Sequence, residues 1–571
     1  MLSGREHGEV YRFAVKNAHD YGSASLSNVL NRALSAFPER RKDVKGFAKD
    51  VGAVVDEVNA LGTARLGEEY KKFEAEFAEE KREKEEQGKP KFAIEGAEQG
   101  NVVTRFPPEP GGYIQVGNAK QCLMSDEIAR IYGGRIYLDF DDTNPEKCRQ
   151  KYVEGIMRDT EWLGVRFAKV YYSSDFIETV YDYGRKLIER GMAYACSCSQ
   201  ESMRDGRRNS RGCAHRNRGK GESLQIFGDM LDKKYADGEM TLRLKGDMES
   251  GNDTLRDPTL FRIKTISHFR HGDKYVVWPT YHMNTPIIDS INGVTDIIRS
   301  KEYEKWTDVH VMMLDALGLR VPRIHYEARL RIEGNTTAKR EIRALIAGGM
   351  IGGWDDPRLM TIVALRRRGI QPEAIRSFVL RFGMSKMDGF ARIDMLLAEN
   401  KRVIDPMAKH LFFVENPVRL EIDGSPSIAA RLKLGRNSDE FREYETTGAF
   451  YIPSADARSM KPGDRVTLKD LADVGVVSAG SKVTTIADGS GGRGRIVQWV
   501  PDDSYVECTV MVPGPLLGSD GNVLEDSLRV VKGYVEAYAS NLDEHDIVQF
   551  ERFGYCILDS KDEMRFIFIS K

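Results

Sequence analysis

The sequence predicts an α/β protein centred on a doubly wound, nucleotide-binding parallel sheet, and three observations predict it. Residues 101 to about 190 read as strand–helix–strand with the strands parallel. After an interruption, strand–helix alternation resumes at about 276 and ends near 400. From about 405 onward, short β-rich runs with Gly, Pro and Asp turns suggest β-barrels. A chain of 571 residues is too long for one core, so roughly three or four domains are expected.

The first 90 or so residues read as helical, with apolar residues at helical spacing in VYRFAVKNAHDY and VKGFAKDVGAVVDEVNAL. The mixed-charge run EEYKKFEAEFAEEKREKEEQGKPK reads as a solvated helix and linker rather than a nucleic-acid arm. NVVTRF is the first strand, PPEPGGY a loop, and NAKQCLMSDEIARIY a helix stopped by Gly133 and Gly134. RIYLDF is the second strand. Residues 190 to about 275 interrupt the pattern with cysteines, a basic loop and short strands.

Charged residues make up 30% and apolar residues 41%, ordinary for a soluble globular protein. The formal net charge of −2 does not betray a nucleic-acid partner, although a local basic face would suffice to bind one. No apolar run approaches the ~20 residues of a membrane span, and MLSGREHGEVYRFAVKNAHD lacks a signal peptide's apolar stretch. A cytoplasmic location without membrane contact is therefore expected. Seven cysteines, an odd number, argue against a disulfide scaffold.

Two clusters carry chemistry. In the loop from Arg105 to Asn118, glycine lets the backbone approach a phosphate, and the N-terminus of the following helix favours an anion. Asp141 and Asp142 end the second strand, where a ligand crevice lies, although Asp142, Thr143 or Asn144 could instead cap the helix that follows. Cys196, Cys198, Cys213 and His215 offer three thiolates and an imidazole, a set suited to tetrahedral structural zinc; the alternative is four unrelated loop residues. RDGRRNSRG, between the two pairs, could face nucleic-acid phosphates.

RFPPEPGGYIQVGNAK followed by YGGRIYLDFDDTNP resembles the glutamyl- and glutaminyl-tRNA synthetases of the archaeal and eukaryotic type, within class I. VVWPTYHMNTPIIDSINGVTDIIRSKEY, HYEARLRIEGNTTAKR and GGWDDPRLMTIVALRRRGI extend the likeness. The resemblance implies a Rossmann-like catalytic domain in two halves, 99–190 and 276–400. It also implies an inserted acceptor-stem domain at 191–275, a helical region at 1–98 and β-barrel anticodon-binding domains at 401–571.

By resemblance Gln115, Gly117, Asn118 and Lys339 are catalytic, and the same four with Arg340 bind ATP. Where the family has H-I-G-H, this chain has Gln115-Val116-Gly117-Asn118; the two amides keep an N–H donor but carry no charge. Arg105, Glu109, Asp141, Tyr281, Thr285 and Arg299 are the implied glutamate contacts. Arg299 stands where glutamyl enzymes carry arginine. The implied reaction joins L-glutamate to tRNA(Glu) through a glutamyl-adenylate, using ATP with Mg2+. Zinc is a candidate structural ion, tRNA(Gln) a second candidate substrate, and the helical N-terminal region a candidate dock for a protein partner. Two alternatives stand beside this reading: a glutaminyl-tRNA synthetase, and an RNA-binding paralogue impaired in catalysis.

Overall fold

A computed structural model of the chain describes residues 2–77, 92–386, 389–424, 427–488 and 494–571. The N-terminal helical spacing resolves into Gly4–Tyr21, Leu26–Ala36, Val44–Asn59 and Thr63–Lys72. Their apolar faces close on Val10, Phe13, Ala14, Phe47, Val51 and Val55. Ser3 and Glu6 form a capping box that starts the first helix, and Gly22 ends it in the left-handed region at φ +86°. The mixed-charge run begins in the last of these helices, and its residues 78–91 lie outside the described residues.

The predicted strand–helix–strand unit is present. Val103–Phe106 pairs in parallel with Arg135–Phe140, register Val103↔Arg135, across the helix Val116–Ile131. Two glycines make the return possible: Gly133 takes φ +58°, and a Cβ on Gly134 would lie 2.0 Å from the Val102 carbonyl oxygen. Lys169–Tyr172 adds a third parallel strand beyond Arg135–Phe140. On the other side, Asp296–Ser300 pairs in parallel with Arg323–Glu327. Thr295 joins the two groups: its N–H donates to Val103 O (2.8 Å), and its Oγ1 accepts from Val103 N–H (2.7 Å). Strand order thus reverses at Val103–Phe106, and the carboxyl end of that strand opens on the crevice where doubly wound sheets bind ligands.

The interruption is a four-stranded antiparallel sheet of Ala193–Cys196, Thr241–Leu244, Thr259–Ile263 and Val277–Pro279. Its last strand lies beyond residue 275 and belongs to it through the pairing Phe261↔Pro279. The capping alternative for Asp142, Thr143 and Asn144 is not realised. A turn intervenes, and the next helix, Gln150–Trp162, starts at Arg149 without a side-chain cap. Asp142 instead accepts from Ser174 N–H (2.8 Å) and Ser174 Oγ (2.6 Å).

The chain forms two compact units: Met1–Arg331 with Val379–Ala391, and Ile332–Phe378 with Arg392–Lys571. The stretch 276–400 is therefore shared between them. Within the second unit, Arg367 clasps Asp559 through Nε (2.7 Å) and Nη2 (2.9 Å), and Arg368 Nη2 donates to Ile569 O (3.1 Å). That unit also holds a two-stranded ribbon, Ile428–Lys433 with Phe441–Thr446, and two seven-stranded, barrel-like sheets. One wraps a core containing Leu411, Val510, Phe550 and Phe566; the other encloses Leu420, Phe450, Val474 and Trp499. Among the described residues no helix is long and apolar enough to cross a membrane.

Candidate active site and candidate metal centre

The helix Tyr281–Ile291 places Tyr281, Thr285 and Asp289 on one face by their i, i+4, i+8 spacing. Arg105, in the first strand, reaches this face. Its Nε donates to Asp289 Oδ1 (3.0 Å) and its Nη2 to Asp289 Oδ2 (3.2 Å), with both side chains 1% exposed. Arg105 Nη1 is buried and has no hydrogen-bond partner among the described residues. Burial pushes the Asp289 carboxyl up, and Arg105 opposes that shift. Asp139 is held well above the usual carboxylate range by burial and by the charges of Asp141 and Asp289.

Arg299 is the penultimate residue of the strand Asp296–Ser300 and is 3% exposed. Its Nη2 donates to Thr307 Oγ1 (2.6 Å), and its Nη1 meets His310 Nδ1 (3.3 Å) and Tyr281 OH (3.5 Å). Among the described residues its Nε has no hydrogen-bond partner, and no carboxylate forms an ion pair with it. Burial and the Arg299 charge hold the His310 imidazole well below its usual range, so this ring is neutral.

Asp141 accepts from Thr143 Oγ1 (2.8 Å). Burial raises its carboxyl, Thr143 opposes, and the charge of Glu109 adds to the rise. Glu109 itself pairs with Lys147 at 3.8 Å. At the start of the helix Val116–Ile131, Gln115 N–H donates to Asn118 Oδ1 (3.1 Å), which turns an oxygen of Asn118 to capping and leaves its amide nitrogen as a donor. A Cβ on Gly117 would meet only Leu330 O, at 3.7 Å, so packing within the chain does not require glycine there. Openness of this kind at a helix N-terminus suits a phosphate. Lys339 and Arg340 belong to the second unit and begin the helix Lys339–Ala347, with Lys339 half-buried and Arg340 exposed. Thr336 braces that start, its Oγ1 accepting from Ala338 N–H (3.1 Å).

The cysteine and histidine cluster is assembled. The ligand atoms of Cys196, Cys198, Cys213 and His215 lie within 4.8 Å of one another. Cys196 Sγ is 3.8 Å from Cys213 Sγ and 3.6 Å from His215 Nδ1, and Cys198 Sγ is 3.4 Å from the same nitrogen. Ligands about 2.3 Å (S) and about 2.0 Å (N) from a tetrahedral zinc stand about 3.5–3.8 Å from each other, so the donor set fits that ion. Ser197 Oγ lies 3.2 Å from His215 Nε2, an outer contact that leaves Nδ1 for metal. Buried Arg243 directs Nη1 at Cys196 Sγ (3.8 Å) and Cys213 Sγ (3.7 Å), placing a positive charge beside the two sulfurs. On the basic stretch, Arg204 and Arg211 are exposed, and Arg211 pairs with Asp205 at 2.7 Å.

Sequence reasoning missed Asp289, Thr307 and His310. Asp289 carried a usable signal, since it continues the 281, 285 helical spacing. Thr307 and His310 carried none.

A nucleotide-type crevice at a strand-order reversal, an inserted antiparallel sheet and two barrel-like sheets define the architecture, and the comparisons give it a class. A family model described as the catalytic domain of class I tRNA synthetases (E and Q) matches residues 101–406. Two models for the family's anti-codon binding domain match 408–488 and 496–559. This chain belongs to the class I tRNA synthetases, in the glutamate and glutamine (E and Q) family. The glutamate–tRNA ligase of Nitrosopumilus maritimus (strain SCM1) is 36% identical over 563 residues, 98% of each chain. That of Thermococcus kodakarensis is 36% identical over 96% of each chain. A crystal structure of a glutamate tRNA ligase from Elizabethkingia meningosepticum, in complex with its amino acid, is 20% identical with TM-score 0.40, covering 54% of this chain and 70% of that one.

Proposed function

We propose that the protein is a glutamate–tRNA ligase. The observation that carries this reading is Arg299: a buried guanidinium that hydrogen-bonds neutral groups and has no carboxylate partner among the described residues. An anionic side chain completes such a site, because a guanidinium fork fits a carboxylate in bidentate fashion. An amide would set one NH2 donor against the same fork. This favours glutamate over glutamine, and the full-length likeness to archaeal glutamate–tRNA ligases supports it.

In the reaction, a glutamate α-carboxylate oxygen attacks the α-phosphorus of ATP, and the bond to pyrophosphate breaks. A terminal ribose hydroxyl of tRNA(Glu) then attacks the acyl carbon, and AMP leaves. Arg299 takes the γ-carboxylate, with Tyr281 beside it. Arg105 offers its unpaired Nη1 to the substrate, and Asp141 takes the ammonium. Glu109 and Thr285 complete the pocket. Gln115, Gly117 and Asn118 receive ATP phosphates at the helix N-terminus. Lys339 and Arg340 stabilise charge growing on the leaving pyrophosphate. Mg2+ would accompany ATP and supply further positive charge for the phosphates. Cys196, Cys198, Cys213 and His215 would hold a zinc ion whose contribution is structural, tying the ends of the inserted sheet's loops together.

The test is ATP–pyrophosphate exchange with tRNA present, comparing glutamate with glutamine. Glutamate-dependent exchange is expected. Preference for glutamine would move the glutaminyl reading ahead. The uncharged Gln115 and Asn118 favour a second reading, an RNA-binding paralogue impaired in catalysis, and absence of exchange alongside intact tRNA binding would select it.

A further inference from the structure

The groups that grip Arg299 are all uncharged. Thr307 and His310 stand one turn apart at the start of the helix Thr307–Leu317, on the same face. Thr307 Oγ1 holds Nη2 at 2.6 Å, and His310 Nδ1 holds Nη1 at 3.3 Å. Tyr326 closes the arrangement: its ring lies 5.5 Å from the guanidinium carbon, and its hydroxyl bonds Thr307 Oγ1.

A guanidinium can only donate, so His310 Nδ1 must present its lone pair and Nε2 must carry the proton. His310 is 3% exposed, and its Nε2 has no hydrogen-bond partner among the described residues. The ring therefore spends its one acceptor on Arg299. Both Nη atoms are fixed, and with them the plane of the fork, while the charge of Arg299 is left uncancelled. A carboxylate at position 310 would hold the fork as firmly, but it would neutralise Arg299 before any substrate arrived.

We propose that His310, together with Thr307, is a positioning and specificity-determining residue for the amino-acid substrate. The pair forms a neutral clamp that aims Arg299 and reserves its charge for a substrate with an anionic side chain. The proposal rests on the reading of Arg299 as the partner of the γ-carboxylate.

The experiment uses the full chain with His310→Asp, His310→Asn, His310→Gln and Arg299→Gln. Each variant is assayed by tRNA-dependent exchange with glutamate and with glutamine, separating KM from kcat, and each is melted to check the fold. His310→Asp installs an internal anion. It should raise KM for glutamate by about a hundredfold, change kcat far less, and lower the preference for glutamate over glutamine by about tenfold or more. His310→Asn places an acceptor where Nδ1 stands and should keep the preference. His310→Gln places its amide where Nε2 stands and should lose it.

Wild-type KM for glutamate in His310→Asp would overturn the clamp. So would equal behaviour of the Asn and Gln variants, a contrast that also decides the matter should the Asp variant not fold. If Arg299→Gln leaves KM for glutamate unchanged, the reading of Arg299 fails instead, whatever the His310 variants do.

Discussion

Replacing Asp289 by Asn keeps the shape of the site and removes one charge. In the native protein Asp289 faces Arg105 through two parallel contacts of 3.0 and 3.2 Å, with both side chains 1% exposed. An asparagine offers Oδ1 to one Arg105 donor and opposes the other with NH2. The guanidinium then stays buried with half its pairing and an uncompensated charge. Breaking a buried pair on one side costs about 3–5 kcal/mol. At about 1.4 kcal/mol per tenfold, that is two to three and a half decades in whichever equilibrium carries the loss. If Arg105 stays in place, stability carries it; if Arg105 swings toward Asp139, Nη1 leaves the substrate and kcat/KM carries it. Urea unfolding and glutamate-dependent exchange, run on the same preparations, divide the cost between the two. The double variant Arg105→Met/Asp289→Asn should recover much of the stability, since both charges are gone, while activity stays low. A cost under about 1 kcal/mol for Asp289→Asn, with unchanged exchange, would refute the role given to this pair.

Three further outcomes are expected. Arg243→Leu should speed zinc release to a chelator by about ten- to a hundredfold, because the charge beside Cys196 and Cys213 is lost; equal release rates would remove Arg243 from the outer shell. Lys339→Ala should lower kcat by about a hundredfold with tRNA affinity nearly intact, and an unchanged rate would withdraw its role at pyrophosphate. Arg40, donating through Nε (2.6 Å) and Nη2 (2.7 Å), pulls the Glu6 carboxyl from 4.5 to about 2. The folded value is depressed, so this stabilisation is complete above about pH 4.5 and fades as pH falls toward about 2. Pepsin should cut within Gly4–Tyr21 increasingly over that window in the wild type, while Glu6→Gln is cut more readily at its upper end; identical profiles would contradict the assignment.

Local patterns were legible where the responsible residues are near in sequence. The strands Val103–Phe106 and Arg135–Phe140 show in their β-rich composition, and Gly133 and Gly134 mark the helix end because the chain must turn sharply there. The four metal-type ligands lie within one short stretch, Cys196 to His215, and only the helix Gln200–Arg208 separates the two pairs. What stayed hidden depends on distant partners. Periodicity says that a helix buries a face but not what the face meets, so Thr307 and His310 gave no sign that they grip Arg299. Val277–Pro279 reads as the restart of the alternating pattern until its pairing with Thr259–Ile263 places it in the inserted sheet. Asp142 reads as a cap until Ser174, 32 positions on, claims its carboxylate.

The partnership of Arg367 and Arg368 with Asp559 and Ile569 spans 192 and 201 positions, and it draws the stretch carrying Lys339 into the same body as the barrel-like sheets. The backbone passes between the two bodies at 331/332, 378/379 and 391/392. No single cut can therefore free either one whole. A stop codon near 400 would strand Ile332–Phe378 without Asp559 and Ile569, and a graft starting near 400 would arrive without its own base. Neither body could be gained or lost by joining one contiguous gene segment to another. Any exchange that keeps one body whole must therefore carry at least two separated pieces of chain together, although each body is compact in itself.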